Sequence, residues 1–150
     1  MRIFFRYNER KPAIPGKVLL KRLIEQQTTV HRKKLERITF IFCSDEYLLE
    51  INKQFLRHDY YTDIITFNLS DNPDVLWAEV YISVDRVREN ATNLSNAFTD
   101  ELLRVIFHGV LHLSGFGDKT KKQQMQMREM ENVLIRKFKT KYKKLNPNGK

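Results

Sequence analysis

DELLRVIFHGVLHLSG, residues 100–115, is the most apolar helical stretch of the chain. Val105, Ile106, Phe107, Val110, Leu111 and Leu113 leave little of its circumference polar. A helix apolar on nearly every side belongs in the interior, so the rest of the fold has to be arranged around it. Asp100 is the expected N-cap, because a short carboxylate can accept from the first free backbone N–H groups. Gly115 is the expected stop, because it can take the left-handed conformation that closes a helix.

Working outward, RIFFRYN (2–8) alternates β-favouring residues and predicts a strand, which Pro12, Pro15 and Gly16 then end. Val18, Leu19, Leu20, Leu23 and Ile24 recur at helical spacing and predict an amphipathic helix from Lys17 to about His31. RITFIFCSD (37–45) predicts a second strand. Ser44 and Asp45 cap the helix after it, whose apolar face is Tyr47, Leu48, Ile51 and Phe55. TDIITFNLS (62–70) and AEVYISV (78–84) are two further strands around the turn-rich DNPD. VDRVRENATNLSNAF (84–98) is a polar helix. KKQQMQMREMENVLIRKFKTKY (121–142) is the last, with Met127, Met130, Val133 or Leu134, and Phe138 at helical intervals. The expected fold class is α+β: a single small mixed sheet of about four strands with about five helices, and a central helix that bears the metal ligands.

The 150 residues suit one domain. With 41% hydrophobic and 30% charged residues the composition is that of a soluble globular protein. No run approaches the roughly 18 apolar residues of a membrane span, so no membrane partner is expected. The N-terminus MRIFFRYNER lacks the apolar run and cleavage site of a secretory signal, and the single Cys43 fits a reducing compartment. A cytoplasmic location follows as the expectation.

Charge is unevenly placed. Residues 119–150 hold eleven Lys or Arg against Glu129 and Glu131, which accounts for the whole net charge of +9. Such a local excess fits a surface that meets a polyanion, though a basic, solvated tail would have the same composition. A basic C-terminal helix over 119–145 is expected, with Lys119, Lys121, Lys122, Arg136, Lys137, Lys139 and Lys141 as candidate nucleic-acid contacts. Residues 146–150 are expected to form a disordered tail.

His108 and His112 stand four residues apart, so their directions differ by about 40° and both project from one side of the central helix. That is chelate spacing. A divalent ion with catalytic function takes three protein ligands and leaves a position for water. A chain reversal at Gly115 would return Asp118 to the pair as the third ligand. Two imidazoles buried side by side without an ion would each need another polar partner. In the peptidase pattern HExxH a glutamate follows the first histidine as general base; here that place is Gly109, which weakens a peptidase reading. Phosphodiester hydrolysis beside the basic segment is the alternative chemistry. The expected cofactor is zinc or another divalent transition metal, one per chain. Asp63 is expected to orient a turn, His31 and His58 to lie at the surface or in turns, and Trp77 and Tyr81 to pack on the sheet.

HGVLHLSG followed by an aspartate, with SDEYLLEINKQF, HDYYTDIITFNL and AEVYISVDRV in that order over roughly residues 38–135, resembles the YbeY family of bacterial endoribonucleases. The resemblance implies a metal-binding α+β fold, single-strand-specific cleavage in ribosomal RNA maturation, and a part in ribosome quality control. The implied partners are ribosomal RNA, the small ribosomal subunit and its assembly factors. His108 and His112 fall on the family's HGxLHLxG motif. Where the common form continues GYDH, this chain has GFGD, so Asp118 takes the place of a third histidine. The family's usual arginine before its D-x-x-T segment is Leu56 here, with Arg57 beside it as the candidate charge stabiliser, and its GDI motif is altered at Ala78 and Glu79. A metal-stabilised but non-catalytic assembly factor remains the rival reading.

Overall fold

The computed structural model describes residues 2–30 and 34–149. The elements in chain order are β1 (Ile3–Tyr7), α1 (Lys17–Val30), β2 (Lys34–Cys43), α2 (Asp45–Leu56), β3 (Ile64–Asn68), β4 (Val75–Ser83), α3 (Val84–Asn93), α4 (Phe98–Leu113) and α5 (Lys121–Leu145). The strands form a four-stranded sheet in the order β1-β2-β4-β3. β1, β2 and β4 run parallel and β3 pairs antiparallel with β4, which makes the sheet mixed and the fold α+β, as expected.

Alternation along the strands divides the side chains between two faces. Ile38, Phe40 and Phe42 of β2 and Ala78, Val80 and Ile82 of β4 face a large core closed by α1, α4 and α5. Phe40, Phe42 and Phe107 are fully buried there. Each such side chain contributes about 1.5–3 kcal/mol of burial. The opposite face carries a smaller cluster of Cys43, Leu48 and Ile65 under α2, with Tyr47, Ile51, Phe67 and Tyr81 packed against it. Ser44 caps α2 by accepting from the Tyr47 N–H at 3.2 Å, as its position before the apolar run predicts. Phe55 only edges this cluster: it is 59% exposed and meets Phe67 edge-on.

Helix α4 is the central one, and Leu102, Leu103, Val105, Ile106, Phe107, Val110 and Leu111 are all buried. Its close approach to the sheet depends on Gly109. A Cβ there would lie 2.8 Å from Ile64 Cδ1 and 3.3 Å from Val80 Cγ1.

Several boundaries differ from the sequence expectation. α3 ends at Asn93, not near Phe98, because Ser95 takes a left-handed conformation with φ 56° and its N–H turns back to Thr92. α4 consequently begins at Phe98, with Ala97 at the N-cap and no side-chain cap. Asp100 is therefore not the cap. It lies in the first turn, where its charge complements the helix dipole, and it pairs with Lys139 at 2.9 Å. The Arg88 guanidinium lies over the Phe98 ring at 4.3 Å and covers the uncapped start. In α5, Leu134 rather than Val133 faces inward. Trp77 lies on β4 but stays 41% exposed, and His31 lies outside the described residues. Among the described residues no helix is long and apolar enough to cross a membrane.

Cys43 is fully buried, and its thiol donates to the Ile82 carbonyl at 3.4 Å. Burial pushes the thiol up to about 12. At pH 8 the thiolate fraction is then roughly one ten-thousandth. A colorimetric disulfide reagent is expected to leave Cys43 unlabelled in the native protein across pH 7–9 and to label it fully in urea. Rapid native labelling at pH 8 would show that the pocket around it opens.

Candidate functional site

The C-terminal end of α4 closes as the glycine predicts. Ser114 is the C-cap, Gly115 follows with φ 104°, the Gly115 N–H bonds His112 O at 3.1 Å and the Phe116 N–H bonds Leu111 O at 3.0 Å. This pair of bonds is the Schellman closure, and it turns the chain sharply back. Thr120 then opens α5 with a reciprocal capping box to Gln123, whose Oε1 also accepts from the Lys119 N–H. Between the two helix ends Asp118 is held against α4, with its Oδ2 3.5 Å from His108 Nε2.

His108, His112 and Asp118 line one cavity of about 270 Å³, together with Thr62, Asp63, Ile64 and Thr66 from the β3 side. The histidines are not the two buried imidazoles that the apolar sequence around them suggests. Gly109 takes the sheet-facing position, which turns His108 and His112 to the flank of α4. His112 is exposed and the His108 side chain is 28% exposed. A glutamate at position 109 would point towards Ile64 and Val80 rather than towards a substrate, which weakens the peptidase reading further.

The strongest polar contact of the site involves a residue that sequence reading left in the charge count. Glu131 on α5 is buried, and its Oε2 stands 2.8 Å from His108 Nδ1 while its Oε1 accepts from Arg104 at 3.0 Å. Arg104 also donates to Asn132 at 2.8 Å. The carboxylate beside Nδ1 favours a proton there and leaves Nε2 to face Asp118 and the cavity. The Glu131 hydrogen bond, against the opposing effect of burial, holds the His108 imidazole above the ordinary histidine value. Met127, Glu131 and Leu134 do share a helical face of α5, but that spacing says only that Glu131 points inward, not what it meets.

Asp63, read from sequence as a turn residue, does both jobs. Its carbonyl accepts from the Ser83 N–H and its carboxylate from Asn90, while it also lines the cavity beside His108. Burial pushes its carboxyl above the usual range. Arg57 is placed otherwise: it is the left-handed C-cap of α2, with φ 56°, exposed, and it lines none of the three cavities around His108. Leu56 lines a neighbouring cavity with His58 and Tyr60, whose exposed rings stack at 5.1 Å. Of the candidate nucleic-acid contacts on and before α5, Lys119, Lys121, Lys122, Arg136, Lys137 and Lys141 are exposed, and Lys139 is tied to Asp100. The side chains do not form a ready-made cage: among the described residues no group of three or more His, Cys, Asp or Glu stands close enough together to hold an ion.

A sheet-and-helix frame that gathers imidazole, carboxylate and guanidinium groups in one open polar cleft is the build of a hydrolytic enzyme. Comparison with known proteins places it further. The family model described as Endoribonuclease YbeY matches residues 9–139, and the chain belongs to that family. Endoribonuclease YbeY of Cytophaga hutchinsonii is 50% identical over 103 residues, covering 67% of this chain and 72% of that protein. Endoribonuclease YbeY of Bacteroides thetaiotaomicron is 48% identical over 112 residues, covering 75% and 81%. The solution structure of TM1509 from Thermotoga maritima superposes with a TM-score of 0.64 at 30% identity, covering 97% of this chain and 95% of that one.

Glu131→Ala would leave Arg104 and His108 facing a cavity without their shared carboxylate. A loss of roughly 2–4 kcal/mol is expected in urea denaturation, and a smaller one for Glu131→Gln. A loss below about 1 kcal/mol for the alanine variant would show that the contact does not tie α5 to α4.

Proposed function

We propose that the protein is a metal-dependent endoribonuclease of ribosomal RNA maturation and ribosome quality control. It acts on single-stranded RNA in the cytoplasm, with the small ribosomal subunit and its assembly factors as partners. The observation that carries this reading is the His108 imidazole, clamped at Nδ1 by Glu131 with Nε2 turned to Asp118 in an open cleft, on a chain of the Endoribonuclease YbeY family.

The donor set fits a divalent transition ion. His108 and His112 supply nitrogen and Asp118 oxygen, types that zinc accepts at about 2.0–2.2 Å. The second nitrogen of His108 is already engaged by a carboxylate, as in metal sites where an outer group orients the ligand. His112 lines the same cavity and would complete the set by side-chain rotation. One zinc or similar ion per chain, when bound, supplies Lewis-acid polarisation of a phosphoryl oxygen and a water of lowered pKa.

The chain's own groups do the rest. Glu131 fixes the orientation of His108, Arg104 neutralises Glu131, and Asp63 stands in the cavity with burial holding its carboxyl above the usual range. The exposed cations of α5 would hold the RNA backbone, and the reading keeps the chain as one domain with its basic helix beside the site.

Metal analysis and cleavage of a precursor ribosomal RNA by wild type, His108→Ala and Asp118→Ala test the reading together. Near one metal per wild-type chain is expected, and in both variants metal content and cleavage fall together. Both should drop by more than about tenfold, since even the outer partners of a metal site cost about that much when they are removed. Full metal occupancy with intact RNA under every divalent ion tried would instead support a non-catalytic assembly factor.

A further inference from the structure

Three cavities meet at one cation that lies outside the candidate ligand set. Arg128 on α5 lines the cavity of about 240 Å³ that it shares with Asp63, Arg104, His108 and Glu131. It also lines the cavity of about 250 Å³ formed with His108, Asp118 and Gln124. On its other side it lines an outer groove of about 400 Å³ with Lys121 and Met125. Residues 121, 124, 128 and 131 recur at helical spacing, so they form one stripe along α5. The stripe starts at Glu131, buried against His108, and runs outward through Arg128 and Gln124 to Lys121.

Arg104, the other guanidinium lining these cavities, is committed. Arg104 donates to Glu131 at 3.0 Å and to Asn132 at 2.8 Å, and Lys139 pairs with Asp100 at 2.9 Å. Arg57 caps α2 away from the cavities around His108. Arg128 is exposed and, among the described residues, makes no ion pair. A guanidinium in that state presents a planar fork of donors, which matches two oxygens of a phosphodiester in a way a lysine does not.

We propose that Arg128 is the phosphate seat of the cleft: it takes one phosphodiester of a single RNA strand, and the strand continues outward past Met125 to Lys121. The substrate path then follows the N-terminal half of α5. Arg136, Lys137 and Lys141 lie farther along the helix, outside these cavities. This inference rests on the endoribonuclease reading of the cleft and assigns the side by which the substrate enters it.

The test uses the full chain with its metal and two RNA probes. A phosphorothioate-linked single-stranded oligoribonucleotide reports binding across a salt series, and an unmodified strand of the same sequence reports cleavage. Arg128→Gln is expected to reduce the slope of log affinity against log salt by about 0.7, the share of one phosphate contact on a single strand. Cleavage efficiency should fall about tenfold or more, with the melting temperature unchanged because the side chain is exposed. Arg128→Lys should keep the slope and recover part of the cleavage. Arg22→Gln, an exposed cation of α1 away from the described cavities, should change neither.

An Arg128→Gln protein that binds and cleaves like wild type overturns the proposal, as does an equal loss from Arg22→Gln. If the wild type shows the Arg128-dependent slope but cuts no RNA, the phosphate seat stands and the endoribonuclease reading fails. If it cuts RNA and Arg128→Gln alters nothing, the seat fails alone.

Discussion

Helix α4 packs on β3 and β4 closely enough that a Cβ at Gly109 would lie 2.8 Å from Ile64 Cδ1 and 3.3 Å from Val80 Cγ1. The consequences spread from there. With Gly109 on the sheet, its neighbours in the helical projection are turned to the flank, so His108 and His112 come out beside the sheet edge rather than into the core. The apolar residues on the remaining sides of α4 are then free to pack on α1 and α5. One glycine thus decides both that the central helix is buried and that its two imidazoles are not.

The position of the third candidate group is settled by backbone geometry at two helix ends. The Schellman closure at Gly115 reverses the chain, and the Thr120 capping box fixes where α5 can start. Four residues, 116–119, remain to join them, too few to wander, and Asp118 is set beside His108 Nε2. Glu131, three turns into α5, then meets the other nitrogen of the same ring. A histidine addressed at both nitrogens has little freedom left, and its orientation comes from chain segments on both sides of the reversal. Preorganisation of this kind does not require a buried site; it requires that the supporting contacts be buried, as Glu131 is.

Much of this was legible in the sequence and some was not, for reasons that differ by residue. Gly115 as a stop, Ser44 as a cap, the histidine pair on one side of α4 and the return of Asp118 all follow from local rules. A cap, a left-handed turn and a four-residue spacing each act within a few residues of sequence. Asp100 has the chemistry of a cap, but α4 begins before it, after the left-handed Ser95 and with Arg88 over the Phe98 ring. Neither leaves a signature in the segment itself. In the sequence Glu131 is one charge among many and Arg128 one of several cations that could follow a phosphate backbone, since their positions arise from where α5 crosses α4. The separations involved, 23 residues for His108–Glu131 and 27 for Arg104–Glu131, carry no periodic signal for such a crossing. Resemblance to a family could carry over ligands position by position, but not Arg128, whose significance lies in the cavities that meet around it.

The electrostatics of the cleft divide its work by depth. Its walls hold four carboxylates, Asp63, Glu101, Asp118 and Glu131, whereas its guanidinium groups are Arg104, spent on Glu131, and Arg128 at the outer lip. A carboxylate-rich interior favours a small cation and opposes a polyanion, because desolvated like charges repel at close range. The basic stripe of α5 has the opposite preference and is exposed to solvent, where its attraction is longer in reach and screened by salt. A phosphodiester drawn to the rim therefore meets a repulsive interior unless a divalent charge is already there to balance Asp118 and its neighbours. Under the proposed endoribonuclease reading, Asp118 in place of a third histidine would add negative charge to the interior, strengthening its hold on an ion and making the approach of RNA more dependent on that ion and on the cations at the rim.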